Sequence, residues 1–312
     1  MTPIRMGVVG MGKIAVDQHL PAIAASPVFT LAATVERSAP ASATNFTSHT
    51  DMIAAAAGRI DAVAVTTPPG PRYAIARDCI EAGLDVLLEK PPTASLAEIE
   101  DLRRLAAARG VTLFTTWHAQ HNPAVVKAAA LLAGQRVREM TVEWHEDVVK
   151  WHPGQKWIWA AGGFGVFDPG INAFSIISAI FPGSLFVKQA SLSFPLGADT
   201  PIAATIEFAS LVSEGPLRCS LDFRYTAGEQ WNIHIVTEKG MTVDLLDGGA
   251  RLVVDGAAQD CVGIGEYPDI YRRFAELVSA RESQVDVVPL RMVADCLLVG
   301  SIDLLDERPP GL

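Results

Sequence analysis

Three small residues near the N-terminus, Gly10, Gly12 and Ala15, form a G-x-G-x-x-A pattern between a strand-like apolar run and a helical one. Glycines at the first two positions let a backbone turn tightly and approach a pyrophosphate at the start of a helix. The pattern therefore predicts a dinucleotide-binding turn, with Lys13 and Ile14 as further cofactor contacts. An ordinary tight turn between a strand and a helix is the alternative.

An acidic residue, Glu36, ends the second strand-like run and lies 24 residues beyond Gly12. A carboxylate at that place accepts hydrogen bonds from the adenosine ribose hydroxyls, which favours NAD. Arg37 follows directly, and its guanidinium is suited to the 2′-phosphate of NADP. We therefore predict that NAD is preferred and NADP is tolerated. Two exposed loop charges with no cofactor role are the alternative.

Further polar residues end two other strand-like runs. Thr66, Thr67 and Pro68 end the third run, and Glu89 and Lys90 end the fourth, immediately before two prolines. Ligands of open α/β sheets bind at the carboxyl ends of the strands. We therefore predict that these five residues line the cofactor.

The elements that must position these residues alternate in the first third of the chain. Short apolar runs and helical patterns follow one another as in βαβ units, which predicts a parallel, doubly wound sheet. The strand-like runs are 4–9, 29–35, 61–66, 85–88 and 111–116, and the helical patterns are 13–25, 71–83 and 94–109. Thr93 or Ser95 is the expected N-cap of the last helix, which should end near Gly110.

After about residue 118 strand-like alternation dominates, which predicts an antiparallel or mixed sheet. The strands are expected at 137–146, 185–194, 202–210, 217–225 and 230–237, and helices at 169–181, 266–280 and 289–306. The predicted fold class is α/β, with a doubly wound Rossmann domain over 1–118. An α+β domain over 119–312 would carry a large, mostly antiparallel open sheet. Such a sheet often pairs with another subunit, so a homo-oligomer, either a dimer or a tetramer, is expected.

Composition and charge narrow the class of protein. The formal net charge of −10 over 312 residues argues against non-specific binding to nucleic acid or to a membrane surface. No secretory signal or membrane-spanning run is visible, so a cytoplasmic protein is expected. The four cysteines lie far apart in the sequence and follow no metal-binding spacing, so no metal site is expected.

The order of three motifs resembles the Gfo/Idh/MocA oxidoreductase family: the glycine pattern, E-K-P after the fourth strand, and GGFGVFDPGIN at 162–172. Longer strings resemble the aldose 1-dehydrogenases of that family, of the L-arabinose/D-galactose type. These strings are GKIAVDQHLPAI (12–23), LLEKPP (87–92), TWH (116–118), EDVVKWHPGQKWIW (146–159) and EQW (229–231). The resemblance implies NAD(P)-dependent oxidation of an aldopyranose at its anomeric carbon to a sugar lactone. The choice among D-galactose, L-arabinose and D-fucose stays open.

The resemblance also implies catalytic roles. Lys90 would contact the substrate beside the nicotinamide, with a cis peptide bond between Lys90 and Pro91. Many members carry an Asp and a His four residues apart on one helix face, where this chain has Asp168 and Asn172. Asparagine does not titrate, so Asp168 is the expected acid/base, with Asn172 hydrogen-bonding the substrate and Lys90 donating to the reacting oxygen or relaying its proton. Capping of the helix 169–181 is the alternative role of Asp168.

The sugar contacts that the resemblance implies lie in and around a tryptophan-rich segment. Flat aromatic rings stack on the apolar faces of a sugar, and charged or polar groups bind its hydroxyls. The expected contacts are His118, Glu146, Trp151, His152 and Trp231. His145 is not among them, because it is expected to be a histidine on a strand surface.

Two other functions stay open from the sequence. Some members of the family bind a dinucleotide and regulate transcription without catalysis, and others oxidise cyclic polyols or dihydrodiols. The presence of both Lys90 and Asp168 argues against a regulator. Asn172 and the tryptophan-rich segment 144–159 favour an aldose as the substrate.

Overall fold

The computed structural model describes residues 2–38, 44–55 and 58–310. The chain divides into two compact units. The first runs to His118 and also includes Ile264–Val287; the second consists of Ala119–Gly263 and the chain from Val288 onward. From the sequence, all of 119–312 was expected to belong to the second domain. The structure corrects that assignment, because residues 264–287 return to the first unit.

A six-stranded parallel sheet forms the centre of the first unit, in the order β3-β2-β1-β4-β5-β6. Its strands are β1 Ile4–Val9, β2 Phe29–Val35, β3 Asn45–Phe46, β4 Ala62–Val65, β5 Asp85–Leu88 and β6 Leu113–Thr115. β4 and β5 are buried along their whole length, as expected of central strands covered on both faces. The predicted doubly wound sheet is confirmed.

The helices of the first unit follow the predicted pattern. They include α1 Leu20–Ala25, α2 His49–Ala55, α3 Pro69–Glu81, α4 Leu96–Arg109 and α8 Glu266–Ala280. Helical backbone begins ahead of α1, at Lys13, and contains a π-helical turn over Ala15–His19. Of the two predicted caps of α4, Ser95 is the N-cap: its side chain accepts from the Glu98 N–H in a capping box, and α4 ends at a left-handed Gly110.

Helix α8 explains why residues 264–287 join the first unit. One apolar stripe of α8 is buried in the core of that unit, against side chains from β1, β5 and β6. Its ring of Phe274 stacks on Phe29 and on Phe114, with centroid distances of 6.1 and 6.2 Å. Burial of each large side chain stabilises a fold by roughly 1.5–3 kcal/mol, so the stripe fixes this late segment to the first unit. The stripe consists of Tyr267, Ile270, Tyr271, Phe274 and Leu277.

A nine-stranded sheet forms the second unit, in the order β14-β13-β12-β11-β7-β10-β9-β8-β15. Neighbouring strands in this sheet are antiparallel except for the pairs β10–β7 and β15–β8, so the predicted mostly antiparallel sheet is confirmed. The strands are β7 Val137–His145, β8 Phe186–Phe194, β9 Ala203–Ser210, β10 Ser213–Asp222, β11 Gln230–Thr237, β12 Thr242–Leu246, β13 Arg251–Val254, β14 Ala257–Ala258 and β15 Ser301–Leu304. The unit also contains α5 Pro123–Leu132, α6 Val148–Trp151, α7 Phe167–Ile180 and α9 Val288–Val299.

The last helix is shorter than the sequence predicted. Helical pattern was expected over 289–306, but α9 ends at Val299 and β15 pairs in parallel with β8. Gly300 stands between the helix and the strand. Its N–H donates a hydrogen bond to the carbonyl oxygen of Cys296 at 2.9 Å, and a Cβ added at Gly300 would lie only 2.4 Å from that oxygen. The sequence pattern missed this change, because a close backbone approach at one glycine leaves no trace in hydrophobic periodicity.

Candidate functional site

The glycine turn after β1 has the geometry that a pyrophosphate needs. Gly10 has φ of 101°, and a Cβ added there would lie 2.9 Å from the backbone nitrogen of Thr67. At Gly12 an added Cβ would meet nothing within 4 Å, so the turn leaves open space. Thr66 fastens the turn to β4, since its Oγ1 donates to the carbonyl of Val9 at 3.0 Å. These features fit a dinucleotide whose phosphates approach the backbone closely.

The other predicted cofactor residues of this edge are exposed or partly buried. Lys13 pairs with Asp17 on the first helical turn, and Ile14 is 36% exposed. Glu36 follows β2, is partly buried and accepts a hydrogen bond from Ser38 Oγ at 3.2 Å, whereas Arg37 is exposed. Glu36 therefore follows β2 at the carboxyl edge of the sheet, and its contact with the ribose of a dinucleotide stays a prediction.

The turn after β4 contains Thr67 and Pro68, and Pro68 is the N-cap of α3. The hydroxyl of Thr67 is buried and has no hydrogen-bond partner within the residues that the structure describes. A buried polar atom without a partner costs free energy, which a bound ligand or water would recover. This atom is thus a second feature, beside the open space at Gly12, that fits a bound dinucleotide.

The carboxylate of Glu89 lies inside the first unit, with the residue only 3% exposed. Its Oε1 is 3.1 Å from His19 Nε2 and accepts from the Tyr267 hydroxyl at 2.8 Å. Its Oε2 accepts from the N–H of Lys90 at 2.8 Å. His19 Nδ1 in turn lies 2.9 Å from the hydroxyl of Tyr271. The carboxylate of Glu89 thus makes its hydrogen bonds within the unit, and its expected place beside the cofactor stays a prediction.

Charge and hydrogen bonding keep Glu89 ionised despite its burial. Burial raises the pKa of Glu89, but the hydrogen bond and charge of His19, together with the Tyr267 hydroxyl, lower it to about 2. Burial and the Glu89 anion raise the pKa of Tyr267 and of Tyr271. The two phenols therefore stay protonated and remain available as donors.

Replacing Glu89 by glutamine should flatten the acid side of the stability profile. The folded pKa of about 2 is below the ordinary carboxyl value of 4.5, so ionised Glu89 stabilises the fold above about pH 4.5. That contribution is lost as the pH falls from 4.5 towards 2. We expect Glu89→Gln to be less stable than wild type by about 1–3 kcal/mol at pH 7 and to lose less stability on acidification.

Denaturant unfolding at a series of pH values from 7 down to 3 measures this difference. The control is Glu100→Gln, because Glu100 makes an exposed ion pair with Arg103 on α4, and such pairs contribute little. Parallel profiles for wild type and Glu89→Gln would contradict the assignment of Glu89 as a buried anion.

A buried arginine, Arg72, holds the backbone on both sides of Lys90. Arg72 lies in the first turn of α3, is 3% exposed, and donates to the carbonyl oxygens of Thr67, Glu89 and Pro91. Lys90 itself is partly buried, and the Lys90–Pro91 peptide is cis, as the resemblance implied. The role of Arg72 could not be predicted from the sequence, since an arginine near a helix start is ordinarily an exposed residue.

His118 ends the first unit and pairs within it. Its Nδ1 lies 3.0 Å from Glu266 Oε2, and its ring stacks on Tyr267 with a centroid distance of 6.0 Å and an interplanar angle of 18°. Both partners come from the first turn of α8. Sequence reasoning missed Glu266, because 148 residues separate it from His118. The predicted sugar contact of His118 stays a prediction.

In the second unit, predicted sugar residues lie together at the paired ends of β7 and β11. Glu146 follows β7, is 4% exposed, and accepts from Trp231 Nε1 at 2.9 Å. The ring of Trp231 lies 5.4 Å from that of Trp151 and 6.2 Å from that of Trp144. Trp151 is 40% exposed, whereas Trp144 is buried and belongs to the core. The structure thus joins a carboxylate to two accessible indole rings.

His145 is the neighbour of this cluster rather than a member. Its Nδ1 lies 2.9 Å from Gln230 Oε1 and its Nε2 lies 2.9 Å from Ser220 Oγ. Gln230 and Ser220 sit on the strands next to β7. His145 is therefore a partly buried strand residue, in agreement with its predicted place.

Asp168 lies inside the first turn of α7 and is 5% exposed. From the sequence, this helix was expected to start at 169, with capping as the alternative role of Asp168. The helix in fact begins at Phe167 and its N-cap is Val166, so the capping role is wrong. Asp168 Oδ2 is 3.6 Å from His152 Nε2, which is too long for a hydrogen bond; the two groups form an ion pair when His152 is protonated.

Asn172 and His152 flank this carboxylate within the second unit. Asn172 follows Asp168 by four residues on α7, so both side chains lie on one side of the helix, and Asn172 is partly buried. The His152 ring packs edge-on against Phe223, at a centroid distance of 5.6 Å, which orients its Nε2. A buried carboxylate with a histidine and an amide beside it can accept a proton and hold a hydroxyl.

The described ranges contain neither a metal-binding cluster nor a membrane-spanning helix. No group of three or more His, Cys, Asp or Glu side chains there could hold a metal ion. Nor is any helix in those ranges both long and apolar enough to cross a bilayer.

Comparisons with known proteins agree with this architecture. Residues 4–117 match the family model described as an oxidoreductase family with an NAD-binding Rossmann fold. The chain is 42% identical to galactose 1-dehydrogenase of Pseudomonas fluorescens over 306 residues, covering 96% of this chain and 97% of the relative.

Solved structures extend the likeness to three dimensions. D-galactose-1-dehydrogenase from Rhizobium etli superposes with a TM-score of 0.92 at 44% identity, covering 99% of both chains. A 3-ketoreductase from Actinomadura kijaniata superposes with a TM-score of 0.83 at 18% identity, over 97% of this chain and 100% of that one, and shows only a shared fold. The similarity to the galactose dehydrogenases therefore runs through both units and far beyond the dinucleotide-binding part. The chain belongs to the Gfo/Idh/MocA oxidoreductase family.

Proposed function

We propose that this protein oxidises the anomeric hydroxyl of an aldopyranose to the corresponding lactone, using NAD or NADP. One observation carries the proposal: the similarity to galactose 1-dehydrogenase is nearly full-length and therefore includes the second unit. That unit holds the Glu146–Trp231–Trp151 cluster and the Asp168–His152 pair. Indole faces, carboxylates and an imidazole are groups that suit a sugar ring.

The reaction removes two hydrogens from the anomeric centre. The C1 hydrogen leaves as a hydride, which the nicotinamide accepts when the dinucleotide is bound. The hydroxyl proton leaves to a base, and the C1–O bond becomes the carbonyl of the lactone. Asp168 is the proposed base, because it is a buried carboxylate with a histidine 3.6 Å from one oxygen. The His152 ring would take up the proton from that carboxylate or offset the change in its charge.

Lys90 and Asn172 have supporting roles in this proposal. The ammonium of Lys90 donates to the reacting oxygen, which lowers the proton affinity of that oxygen, or relays its proton. Asn172, one turn along α7 from Asp168, donates to or accepts from a substrate hydroxyl. Glu146, Trp151, His152 and Trp231 bind the sugar, and His118 is proposed as a further contact.

The cofactor is proposed to be NAD in preference to NADP. Replacing Glu36 by alanine should raise kcat/KM with NADP relative to NAD by about tenfold or more, because one charge-assisted hydrogen bond to the ribose is lost and a repulsive charge is removed. Initial rates with both cofactors measure the ratio. Arg37→Ala should change the ratio in the opposite direction. An unchanged ratio in Glu36→Ala would remove Glu36 from cofactor choice.

We also propose a cytoplasmic homo-oligomer, a dimer or tetramer that pairs through the large sheet. The outward side chains of the central strands are polar and of mixed charge, including Thr141, Glu143, Thr205 and Arg218. Such a face suits a hydrated interface between copies. The free cysteines, three of them buried, suit a reducing compartment. Sedimentation at micromolar concentration tests the assembly, and a monomer would contradict it.

A panel of substrates tests the reaction. D-galactose, L-arabinose, D-fucose, D-glucose, myo-inositol and a dihydrodiol are each mixed with NAD or NADP, and absorbance at the wavelength of reduced nicotinamide is followed. We expect turnover with the galactose-configured sugars and a lactone that hydroxylamine traps. Turnover with the polyol or dihydrodiol alone would replace the proposal, and no turnover with any of them would favour a non-catalytic regulator.

A further inference from the structure

The guanidinium of Arg72 links two segments that carry separate parts of the first unit's chemistry. One nitrogen donates to the carbonyls of Glu89 and Pro91, and the other donates to the carbonyl of Thr67. Thr67 belongs to the turn after β4, and this turn is expected to line the cofactor. Glu89 and Pro91 are the residues on either side of Lys90.

Lys90 is thus held by its own N–H and by the carbonyl groups of the residues on either side of it. Arg72 fixes the carbonyl before Lys90 and the carbonyl of the residue after it, and the Glu89 carboxylate accepts the Lys90 N–H at 2.8 Å. A backbone held at three points fixes the place from which the lysine side chain extends. The position of its ammonium is then set by the fixed Cα and the rotamer of the side chain.

The chemistry of arginine explains why this residue type stands at the junction. Burying a charge is costly unless many hydrogen bonds compensate, and Arg72 is 3% exposed. A guanidinium offers five donors in one rigid plane, so it can hold several carbonyls at fixed separations. A lysine ammonium is a point charge on a flexible stem, and a glutamine has two donors. Neither can reproduce the arrangement.

We propose that Arg72 is a positioning residue for the oxidation, holding the Thr67–Pro68 turn and Lys90 at a fixed separation. The proposal rests on the function proposed above. It assigns no contact between Arg72 and substrate. Its consequence is that a change at Arg72 acts on the reaction through Lys90 and on dinucleotide binding through Thr67.

The experiment compares Arg72→Lys and Arg72→Gln with a matched control on the same helix. Arg77→Gln is that control, since Arg77 makes exposed ion pairs with Glu81 and Asp101 on α3 and α4. We expect kcat to fall by roughly 10²-fold in Arg72→Gln and by about tenfold or more in Arg72→Lys, as for a reacting group displaced by about 1 Å. Arg77→Gln should stay within about twofold of wild type.

A double-mutant cycle separates positioning from a general loss of structure. In the Lys90→Met background there is no ammonium to position, so adding Arg72→Lys should lower kcat by no more than about twofold. If Arg72→Lys lowers kcat in that background by the same factor as in wild type, the proposal is overturned. Wild-type kcat in Arg72→Lys, with an unchanged melting temperature, would also overturn it.

Dinucleotide affinity gives a readout that needs no sugar. Titration of NADH or NADPH against protein fluorescence should show affinity weakened several-fold in Arg72→Lys and unchanged in Arg77→Gln. If wild type binds dinucleotide but oxidises none of the aldoses, the proposed function fails, and this titration still judges Arg72. Equal affinity in wild type and Arg72→Lys would then overturn the link to Thr67.

Discussion

Replacing Asp168 by asparagine should lower kcat by roughly 10²-fold or more while leaving dinucleotide affinity within about twofold of wild type. The amide keeps the size of the side chain but cannot take a proton. The carboxylate is buried in the first turn of α7, beside His152. Steady-state kinetics with the best aldose of the panel gives kcat, and fluorescence titration with reduced dinucleotide gives the affinity.

The control for Asp168 is a second His–Asp pair in the same unit. Asp244 lies 2.5 Å from His234 on paired strands β11 and β12, and no role in the reaction is proposed for it. Asp244→Asn should therefore keep wild-type kcat, which shows that removing a carboxylate from a His–Asp pair is not harmful in itself. Asp168→Asn with turnover within twofold of wild type would remove Asp168 from the mechanism.

The ammonium of Lys90 should be as important as the carboxylate. Lys90→Met keeps the length and apolar stem of the side chain and removes the donor to the reacting oxygen, so kcat should fall by roughly 10²-fold or more. Since the Lys90 N–H donates to the Glu89 carboxylate and Arg72 holds the Glu89 carbonyl, the substitution should leave the melting temperature close to that of wild type. Circular dichroism on heating and initial rates measure the two quantities.

The double variant Lys90→Met/Asp168→Asn tests whether the two residues act on one chemical step. Groups that act together on one step show losses that are far from additive, so the double variant should be little slower than the slower single variant. Fully multiplicative losses would mean that the two side chains act on independent steps, and the proposed division of work between them would be abandoned.

The parallel sheet could be predicted because its signals are local. β4 and β5 are short apolar runs, Gly10 and Gly12 stand directly after β1, and the caps Ser95 and Gly110 enclose α4. Each of these signals lies within a few residues of the element it defines. The carboxyl edge of the sheet therefore followed from the sequence, and so did the residues along it.

The buried hydrogen bonds at the same edge of the sheet could not be predicted, because the residues that form them lie far apart in the sequence. Glu89 bonds Tyr267 across 178 residues, and His19 reaches Tyr271 across 252. A tyrosine on an amphipathic helix looks like any core residue until the fold places a carboxylate next to it. For the same reason the hydrogen bonds of Glu89 to His19 and Tyr267 were not predicted.

In the second unit, the sequence predicted which residues lie together, but it misplaced the start of the helix that carries Asp168. Glu146, Trp151 and Trp231 were expected together, and the structure joins them through one hydrogen bond and one ring contact. Asp168 was placed one residue outside its helix, since Asp before Pro is an ordinary cap pattern. The structure puts helical backbone at Phe167, where the hydrophobic pattern gives no start signal.

The placement of α8 has a consequence for how the polypeptide reaches its final form during synthesis. A nascent chain that has emerged only to His118 lacks the stripe of α8 that covers Phe29 and Phe114. The dinucleotide-binding unit thus reaches completion only after residues 264–287 have left the ribosome. Until then the aromatic side chains that α8 covers are exposed to water and to chaperones. A gene fragment that encodes only the segment matched by the family model would therefore yield an incomplete unit.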